Sequence, residues 1–382
     1  MGFRSRGGAT DPLGRPQSHS AGLRRCGRRS AARARGDTLK ILECTIRDGG
    51  YAIDFQWSAD EIEQIVGQLA AAGFEYIEIG HGLGLGASRT LMPARCSDEE
   101  MARVGTRAKL QAKVGAFFIP GIGTADDLRT FRDLGGDFVR IGTDVSKSES
   151  AWEFVDLAVR LGYEVGYNFM KTYAAQPFEI LNRAAPIAER GATTIAVVDS
   201  AGGMLPDQVA AYVRVLKAGL DVKVGFHGHN NLLLANANSL AAVQNGAAVI
   251  DTTLLGMGRG GGNAQTETML VVLEKTGYAT GINPLEVAKI AERYVSPKPT
   301  RLKGADELEL IYGFALFHSG FTKRVQDVAA AYDVRYQDLI LEVSRFAKEN
   351  PSEALITEAA AQLRRDGRVK IHFPKFIHRN WS

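Results

Sequence analysis

Two histidines, His227 and His229, stand two positions apart in the apolar run 224–231. Side chains at i and i+2 of a β-strand point to the same face, so both imidazoles can reach one ion. Far upstream, Asp48 follows another apolar segment, in the run 45–50. Two imidazoles and one carboxylate are a common ligand set for a divalent transition metal that keeps open positions. The alternative interpretation of the pair is a partly buried strand end that holds no ligand.

Short apolar segments alternate with segments of 3.6-residue hydrophobic periodicity along most of the chain, as expected of an α/β protein. The segments predicted as strands are residues 40–44, 76–79, 111–118, 138–141, 164–169, 194–198, 223–226 and 249–252. Helical periodicity is clearest at residues 59–72, 148–161 and 206–220, with Ser58 and Thr124 as predicted N-caps. Eight successive β-α units favour a closed (β/α)8 TIM barrel over an open sheet.

The strand pattern stops after about residue 280, and the remaining periodicity is helical. Helices are predicted at residues 285–294, 307–317, 323–331, 336–348 and 351–364. We therefore expect a TIM-barrel catalytic domain over residues 38–280, a small helical domain over 281–366 and a tail over 367–382. Residues 1–37 form an Arg-rich extension that is predicted to be disordered, because it lacks hydrophobic periodicity.

The composition limits the classes of protein to which the chain can belong. Residues 1–36 carry nine arginines and one aspartate, so the rest of the chain is mildly acidic and no nucleic-acid binding is expected. We interpret this start as translated upstream sequence, with a transit peptide or a nucleic-acid-binding arm as alternatives. No apolar run approaches the ~20 residues of a membrane-spanning helix, so a soluble protein is expected. Cys26, Cys44 and Cys96 show no CxxC spacing, which favours the reducing cytoplasm over a disulfide framework or zinc cluster.

Polar residues follow the predicted strands at their C-terminal ends, where TIM barrels carry their active sites. They are Arg47 and Asp48 at the end of strand 1, Glu78 and His81 at that of strand 2, Asn168 and Lys171 at that of strand 5, Asp199 and Ser200 at that of strand 6, His227 and His229 at that of strand 7, and the glycine-rich run ending in Asn263 after strand 8. Unrelated core polar residues would not share this placement, so the sequence predicts a metal site rather than a structural histidine pair.

A divalent ion held by Asp48, His227 and His229 would keep positions for the carboxylate and ketone oxygens of a 2-oxo acid. Such an ion acts as a Lewis acid and stabilises the enolate formed when a carbon–carbon bond breaks or forms beside the carbonyl. Arg47 could neutralise the enolate oxygen or the carboxylate, with a structural salt bridge as the alternative. The glycine-rich run lets the backbone approach a ligand closely, but it lacks the full fingerprint of a nucleotide loop.

These motifs resemble those of the metal-dependent pyruvate aldolases of the 4-hydroxy-2-oxovalerate aldolase type, within the wider group of 3-hydroxy-3-methylglutaryl-CoA lyase-like barrels. The resemblance covers residues 38–345 and rests on the segments 45–49, 78–84, 120–123, 199–203, 227–231 and 256–258. It implies that Asp48, His227 and His229 bind a divalent metal, with Mn²⁺ first and Mg²⁺, Co²⁺ or Zn²⁺ as alternatives. It also implies that Arg47 stabilises the pyruvate enolate. The resemblance and the strand-end positions together give the predicted substrate-binding set: Arg47, His81, Asn168, Lys171 and Asn263, the last also supporting the metal shell.

Two departures from the family pattern concern proton transfer. Tyr51 stands where the aldolases have a histidine base, and a tyrosine with a pKa near ~10 is a poorer base at neutral pH. His318 stands near the position of an aldolase tyrosine. One hypothesis is an exchange of roles, with His318 as the base and Tyr51 as its hydrogen-bonding partner.

A third departure is Lys171, where the aldolases have a small serine. It would bind an added anionic group on the substrate or cap the strand as a solvated cation. A Schiff-base role is disfavoured because a bound metal already provides the electron sink. The departures favour an altered acceptor aldehyde.

The predicted function is a class II carbon–carbon lyase that joins or separates a pyruvate enolate and an aldehyde. The alternatives are an acyl-CoA-dependent Claisen-type lyase or synthase and a non-catalytic barrel subunit. Against the lyases, no cysteine follows Cys96; against a biotin-dependent carboxyltransferase, Val198 rather than a lysine precedes Asp199. The predicted partners are a small 2-oxo acid and an aldehyde, further copies of the chain in a homo-oligomer, and an acylating aldehyde dehydrogenase bound to the helical domain.

Overall fold

The computed structural model of the chain describes residues 39–90, 92–298 and 306–366. The predicted disordered extension over residues 1–37 and the predicted tail over 367–382 lie outside these ranges. Within them, no helix is both long and apolar enough to cross a lipid bilayer.

Eight parallel strands form a closed barrel in the order β1 to β8, with β8 paired to β1. The strands are β1 (Lys40–Glu43), β2 (Tyr76–Ile79), β3 (Lys113–Phe118), β4 (Phe138–Asp144), β5 (Glu164–Met170), β6 (Thr194–Asp199), β7 (Lys223–Gly228) and β8 (Val249–Thr252). The predicted (β/α)8 barrel is therefore confirmed. Strand β3 begins later than predicted because Leu110 adopts a φ of 48° and the Ala112 N–H closes a turn onto the Lys109 carbonyl.

Helices alternate with the strands and then continue alone. They are α1 (Ala59–Ala71), α2 (Ala87–Thr90), α3 (Asp98–Ala108), α4 (Ala125–Asp133), α5 (Trp152–Arg160), α6 (Pro177–Glu189), α7 (Pro206–Gly219), α8 (Ala235–Gln244), α9 (Thr266–Lys275), α10 (Pro284–Tyr294), α11 (Glu307–Ala315), α12 (Thr322–Tyr332), α13 (Tyr336–Ser344) and α14 (Glu353–Asp366). Ser58 and Thr124 cap α1 and α4 through capping boxes, as predicted. The predicted helix 148–161 is divided, because a 3-10 helix (Val145–Ala151) precedes α5.

Hydrophobic packing separates the barrel from the last helices. The buried face of α10 joins the barrel core through Val287, Ile290 and Ala291. A second hydrophobic core lies among α11–α14, around residues such as Tyr312 and Ile340. Judged by its packing, α10 therefore belongs to the barrel, and the helical unit begins after it. This boundary lies later in the chain than the one predicted at residue 280.

The helical unit touches the barrel at one place where two backbones meet closely. A Cβ on Gly203, in the loop after β6, would lie 2.0 Å from the Gly313 carbonyl oxygen of α11. Only glycine permits this approach. Helix α13 also ends at Ser344, earlier than predicted, and Asn350 beyond it donates to Asp144 at the end of β4 (2.8 Å). These contacts bring residues of the helical unit to the C-terminal end of the barrel.

Candidate active site

A cavity opens at the C-terminal end of the barrel, where the sequence predicted the site. Its lining includes Arg47, Asp48, Tyr51, Asp144, Asn168, Lys171, Ser200, His227, His229, Arg259 and His318. Most of these follow strands of the barrel, whereas His318 comes from the turn between α11 and α12. The cavity therefore joins residues from both packing units.

Asp48, His227 and His229 converge in this cavity. Their ligand atoms all lie within 4.8 Å of one another, and the three side chains are buried. The distance from His227 Nε2 to Asp48 Oδ2 is 3.5 Å. His229 lies just beyond β7, where its backbone pairs with that of Asn263. The structure thus brings together the three residues that the sequence predicted as metal ligands.

Hydrogen bonds orient both imidazoles toward the centre of this triad. His227 Nδ1 lies 2.9 Å from Asp251 Oδ2, and His229 Nδ1 lies 3.3 Å from the Gly262 carbonyl oxygen. Each Nδ1 faces an acceptor and carries the ring proton, so Nε2 is the nitrogen of each ring that can bind a cation. Asn263 Nδ2 donates to Asp48 Oδ1 at 3.0 Å, which orients the carboxylate. The donor set and its orientation fit a divalent metal ion.

The protonation states of Asp48 and His229 suit the same purpose. Burial acts to raise the pKa of Asp48, but Arg47, the two histidines and the Asn263 hydrogen bond hold it well below its usual range. Burial lowers the pKa of His229 to about 3, against the opposing charge of Asp48. At neutral pH the site therefore offers a carboxylate and a neutral imidazole, the forms that bind metals.

Replacement of Asp251 by asparagine is expected to weaken metal affinity by roughly 10–100-fold without removing a ligand. The asparagine side chain has a similar shape, but it is uncharged and therefore stabilises the proton on His227 Nδ1 less strongly. Titration with Mn²⁺ followed by electron paramagnetic resonance measures the change. An unchanged affinity would show that Asp251 does not orient His227.

A chain of buried charges supports the triad from inside the barrel. Arg47 donates to Asp48 Oδ2 and to Glu78 Oε2, both at 2.6 Å. Arg140 in turn contacts Glu78, with Nε to Oε1 at 2.8 Å, and also Asp251. Burial opposes ionisation of Glu78, but the two guanidiniums hold its pKa below its usual value. Three carboxylates face two guanidiniums here, and the remaining negative charge favours a cation at the triad.

Arg140 and Asp251 were not among the residues predicted to form the site. A signal was available, because each is the one charged residue of its predicted strand, 138–141 for Arg140 and 249–252 for Asp251. A charge in such a position is buried by the barrel and must be paired.

Tyr51 and His318 line the same cavity, but no hydrogen bond joins them among the described residues. Tyr51 lies on a 3-10 helix (Gly49–Ile53), and burial raises its pKa to about 12, so the phenol stays protonated. His318 Nδ1 accepts the Gly320 N–H at 3.1 Å. Burial and the charges of Arg259 and Lys171 hold the pKa of His318 well below its usual value. The cavity therefore contains a neutral phenol and a neutral imidazole.

His81 does not line the cavity, although it was predicted to bind substrate. Its ring stacks on Phe55 with centroids 3.6 Å apart, and its Nδ1 accepts the Leu83 N–H. Tyr51 packs against Gly82, where a Cβ would lie 2.3 Å from the Tyr51 ring. His81 therefore lies among aromatic residues beside the cavity and outside its lining.

Lys171 lines the cavity as a buried ion pair, so the interpretation as a solvated cation is wrong. Its Nζ lies 3.0 Å from Asp144 Oδ1 and donates to Asn350 Oδ1 at 3.0 Å. Asn168 also lines the cavity, and its Oδ1 is buried without a hydrogen-bond partner among the described residues. That oxygen is available to a ligand.

Asn263 lies behind Asp48 and not in the lining of the cavity. Asp199, another strand-end residue, accepts the N–H groups of Gly203 and Met204. Both residues therefore orient neighbouring groups of the chain in this structure.

The fold and the triad define a (β/α)8 barrel with a two-histidine, one-carboxylate site. The sequence model of the HMGL-like family matches residues 38–293, and the chain belongs to this family. The predicted carbon–carbon lyase of the aldolase type is confirmed by curated relatives. A 4-hydroxy-2-oxovalerate aldolase of Moorella thermoacetica is 37% identical over 85% of this chain and 97% of its own length. One of Carboxydothermus hydrogenoformans is 34% identical over the same shares.

Solved structures show the same fold at lower sequence identity. The N-terminal domain of a putative aldolase from Bacteroides vulgatus is 24% identical, with a TM-score of 0.64 over 81% of this chain and 97% of that one. The carboxyl transferase domain of pyruvate carboxylase from Rhizobium etli is 16% identical, with a TM-score of 0.70 over 86% and 60%. At these identities the likeness extends to the fold alone.

Proposed function

We propose that the protein is a divalent-metal-dependent aldolase that joins or separates a pyruvate enolate and an aldehyde. The observation that carries this proposal is the convergence of an ionised Asp48 with two imidazoles whose Nε2 atoms face it. The names of the curated relatives support the same reaction class. When bound, a divalent ion supplies Lewis-acid stabilisation of the enolate. We propose Mn²⁺ as the ion, with Mg²⁺, Co²⁺ and Zn²⁺ as alternatives.

Arg47 is placed to donate to the substrate. Its Nε and Nη1 atoms are engaged by Glu78 and Asp48, and no described residue accepts from its Nη2. The charge of Arg47 is thus compensated, while its Nη2 group remains to donate to the enolate oxygen or to the carboxylate of the 2-oxo acid. The structural salt bridge and the catalytic role weighed in the sequence analysis are compatible in this geometry. Asn168, with its free amide oxygen, is proposed to orient the same substrate.

Proton transfer is assigned to Tyr51 and His318. The neutral His318 imidazole is suited to accept a proton, and the neutral Tyr51 phenol to donate one to the alcohol oxygen. Because His318 Nδ1 accepts the Gly320 N–H, Nε2 holds the ring proton at rest. The Gly320 contact must open, and the proton must move to Nδ1, before Nε2 can act as a base.

His318→Asn is expected to lower the rate of pyruvate proton exchange by roughly 10²–10⁴-fold, the usual contribution of a general base. Tyr51→Phe should lower it less, because pyruvate proton exchange involves no alcohol oxygen for the phenol to protonate. The two rates, measured on enzyme with equal metal content, test the assignment. Full activity in His318→Asn together with no activity in Tyr51→Phe would reverse it.

Metal-dependent exchange of the pyruvate methyl protons with deuterium tests the proposed function directly. Proton nuclear magnetic resonance should show exchange with Mn²⁺ present and none after chelation. Asp48→Ala provides the matched control, because it removes a ligand without altering the histidines. Absence of exchange in the metal-loaded enzyme would contradict the aldolase reaction and favour the acyl-CoA-dependent or non-catalytic alternatives.

The remaining assignments rest on the sequence analysis. We retain three predictions: the chain forms a homo-oligomer, its helices α11–α14 bind an acylating aldehyde dehydrogenase, and the protein is located in the cytoplasm. Size-exclusion chromatography with light scattering and co-purification with the dehydrogenase test the first two.

A further inference from the structure

Besides Arg47, two cationic side chains, Lys171 and Arg259, line the cavity beside the triad. Arg259 follows β8 within the glycine-rich run, and the sequence analysis assigned it no role. The surroundings of the two cations differ, and this difference bears on the substrate.

Lys171 is compensated within the chain. Its Nζ forms an ion pair with Asp144 and donates a hydrogen bond to the amide oxygen of Asn350. The Phe321 ring lies 5.3 Å from the same Nζ. The charge of Lys171 therefore has a counter-ion before any ligand enters.

Arg259 has no such compensation. In the described ranges of the chain, no carboxylate lies within 4.0 Å of its guanidinium, although the side chain is half-buried. Its polar contacts are the Ser200 carbonyl oxygen and His229 Nε2, both at the long distance of 3.4 Å. Its guanidinium carbon lies 5.6 Å from the centre of the Tyr51 ring. A guanidinium is shaped to bind a carboxylate through two N–H groups, and these contacts leave that capacity unused.

The other cations of the site are already paired with carboxylates. Arg47 pairs with Asp48 and Glu78, and Arg140 pairs with Glu78 and Asp251. In the function proposed above, the carboxylate of the 2-oxo acid binds the divalent ion. Among the described residues of the cavity lining, Arg259 is then the cation without a carboxylate partner.

Resting on that proposed function, we propose that the acceptor is an anionic aldehyde, a short aldehyde acid whose carboxylate binds Arg259 with Lys171 close by. In the reaction, the methylene carbon of the pyruvate enolate forms a bond to the aldehyde carbon. The carbonyl π electrons move to the aldehyde oxygen, which takes a proton. The product is a 4-hydroxy-2-oxo diacid, and the reverse reaction breaks the same bond without any change of oxidation state overall.

The test compares acids with their uncharged esters as acceptors for pyruvate. Glyoxylate and succinic semialdehyde are matched with methyl glyoxylate and methyl 4-oxobutanoate, using the full chain loaded with Mn²⁺. Adduct formation gives kcat/KM for each acceptor. We expect the wild type to prefer each acid over its ester by about 10–100-fold, the range of a charge-assisted hydrogen bond.

Arg259→Gln is expected to lower this acid-to-ester ratio by a similar factor, and Arg259→Lys to restore part of it. Arg293→Gln, which alters an exposed arginine on α10, serves as the matched control and should leave the ratio unchanged. Metal content is measured for every variant because Arg259 lies close to His229.

The outcomes separate the two proposals. No deuterium exchange into pyruvate and no adduct with any acceptor would contradict the proposed function itself. Exchange in the wild type with equal use of acids and esters would overturn the anionic acceptor alone. An Arg259→Gln variant that raises KM for pyruvate in the exchange assay, with an unchanged ratio, would also overturn it, because Arg259 would then bind the 2-oxo acid.

Discussion

His229→Ala is expected to abolish stoichiometric metal binding and to lower kcat/KM for the aldol reaction by at least about 10³-fold. Lewis-acid stabilisation of an enolate is worth several kcal/mol, and each 1.36 kcal/mol changes a rate tenfold. His229 supplies one of three donors in a buried site, and its neighbours offer no replacement nitrogen at that position. Mass spectrometric metal analysis of the purified variant and steady-state kinetics measure the two effects.

His318→Asn is the control for this prediction. This substitution removes the third histidine of the cavity lining, which is not a member of the triad. Metal content should therefore stay near that of the wild type. If His229→Ala kept a full complement of metal and its activity, the triad would not be the metal site.

Arg140→Leu is expected to destabilise the folded protein by about 3–5 kcal/mol. The substitution leaves Asp251 without its guanidinium and leaves Glu78 paired with Arg47 alone, while both carboxylates stay buried. A buried charge that loses its partner costs far more than an exposed one. The midpoint of urea unfolding and the melting temperature, followed by circular dichroism, measure the loss.

Arg129→Leu provides a matched comparison for that loss. Arg129 pairs with Asp126 across one turn of α4, and both side chains are largely exposed. Surface pairs of this kind contribute only about 0–1 kcal/mol. Equal melting temperatures for the two variants would show that the buried charges do not stabilise the barrel.

Whether the role of a residue could be predicted depends on whether local geometry or contacts between distant parts of the chain determine that role. The spacing of His227 and His229 predicted a shared face, and the two rings do reach one centre. A solvated Lys171, one of two alternatives for that residue, and substrate binding by His81 were local expectations as well. Lys171 is not solvated, because it contacts Asp144 and Asn350, and the ring of His81 stacks on Phe55 outside the cavity lining.

The sequence by itself determined the barrel and the triad. Alternation along a strand follows from backbone geometry, and the closed parallel barrel brings every strand end to one rim. Only the tertiary structure decided that Asp251 orients His227, that His318 reaches the cavity and that Arg259 lacks a carboxylate partner among the described residues. Those facts depend on which loops meet across the rim and on how the helical unit packs against it. Such contacts join residues far apart in the chain, and no local pattern of residue types specifies them.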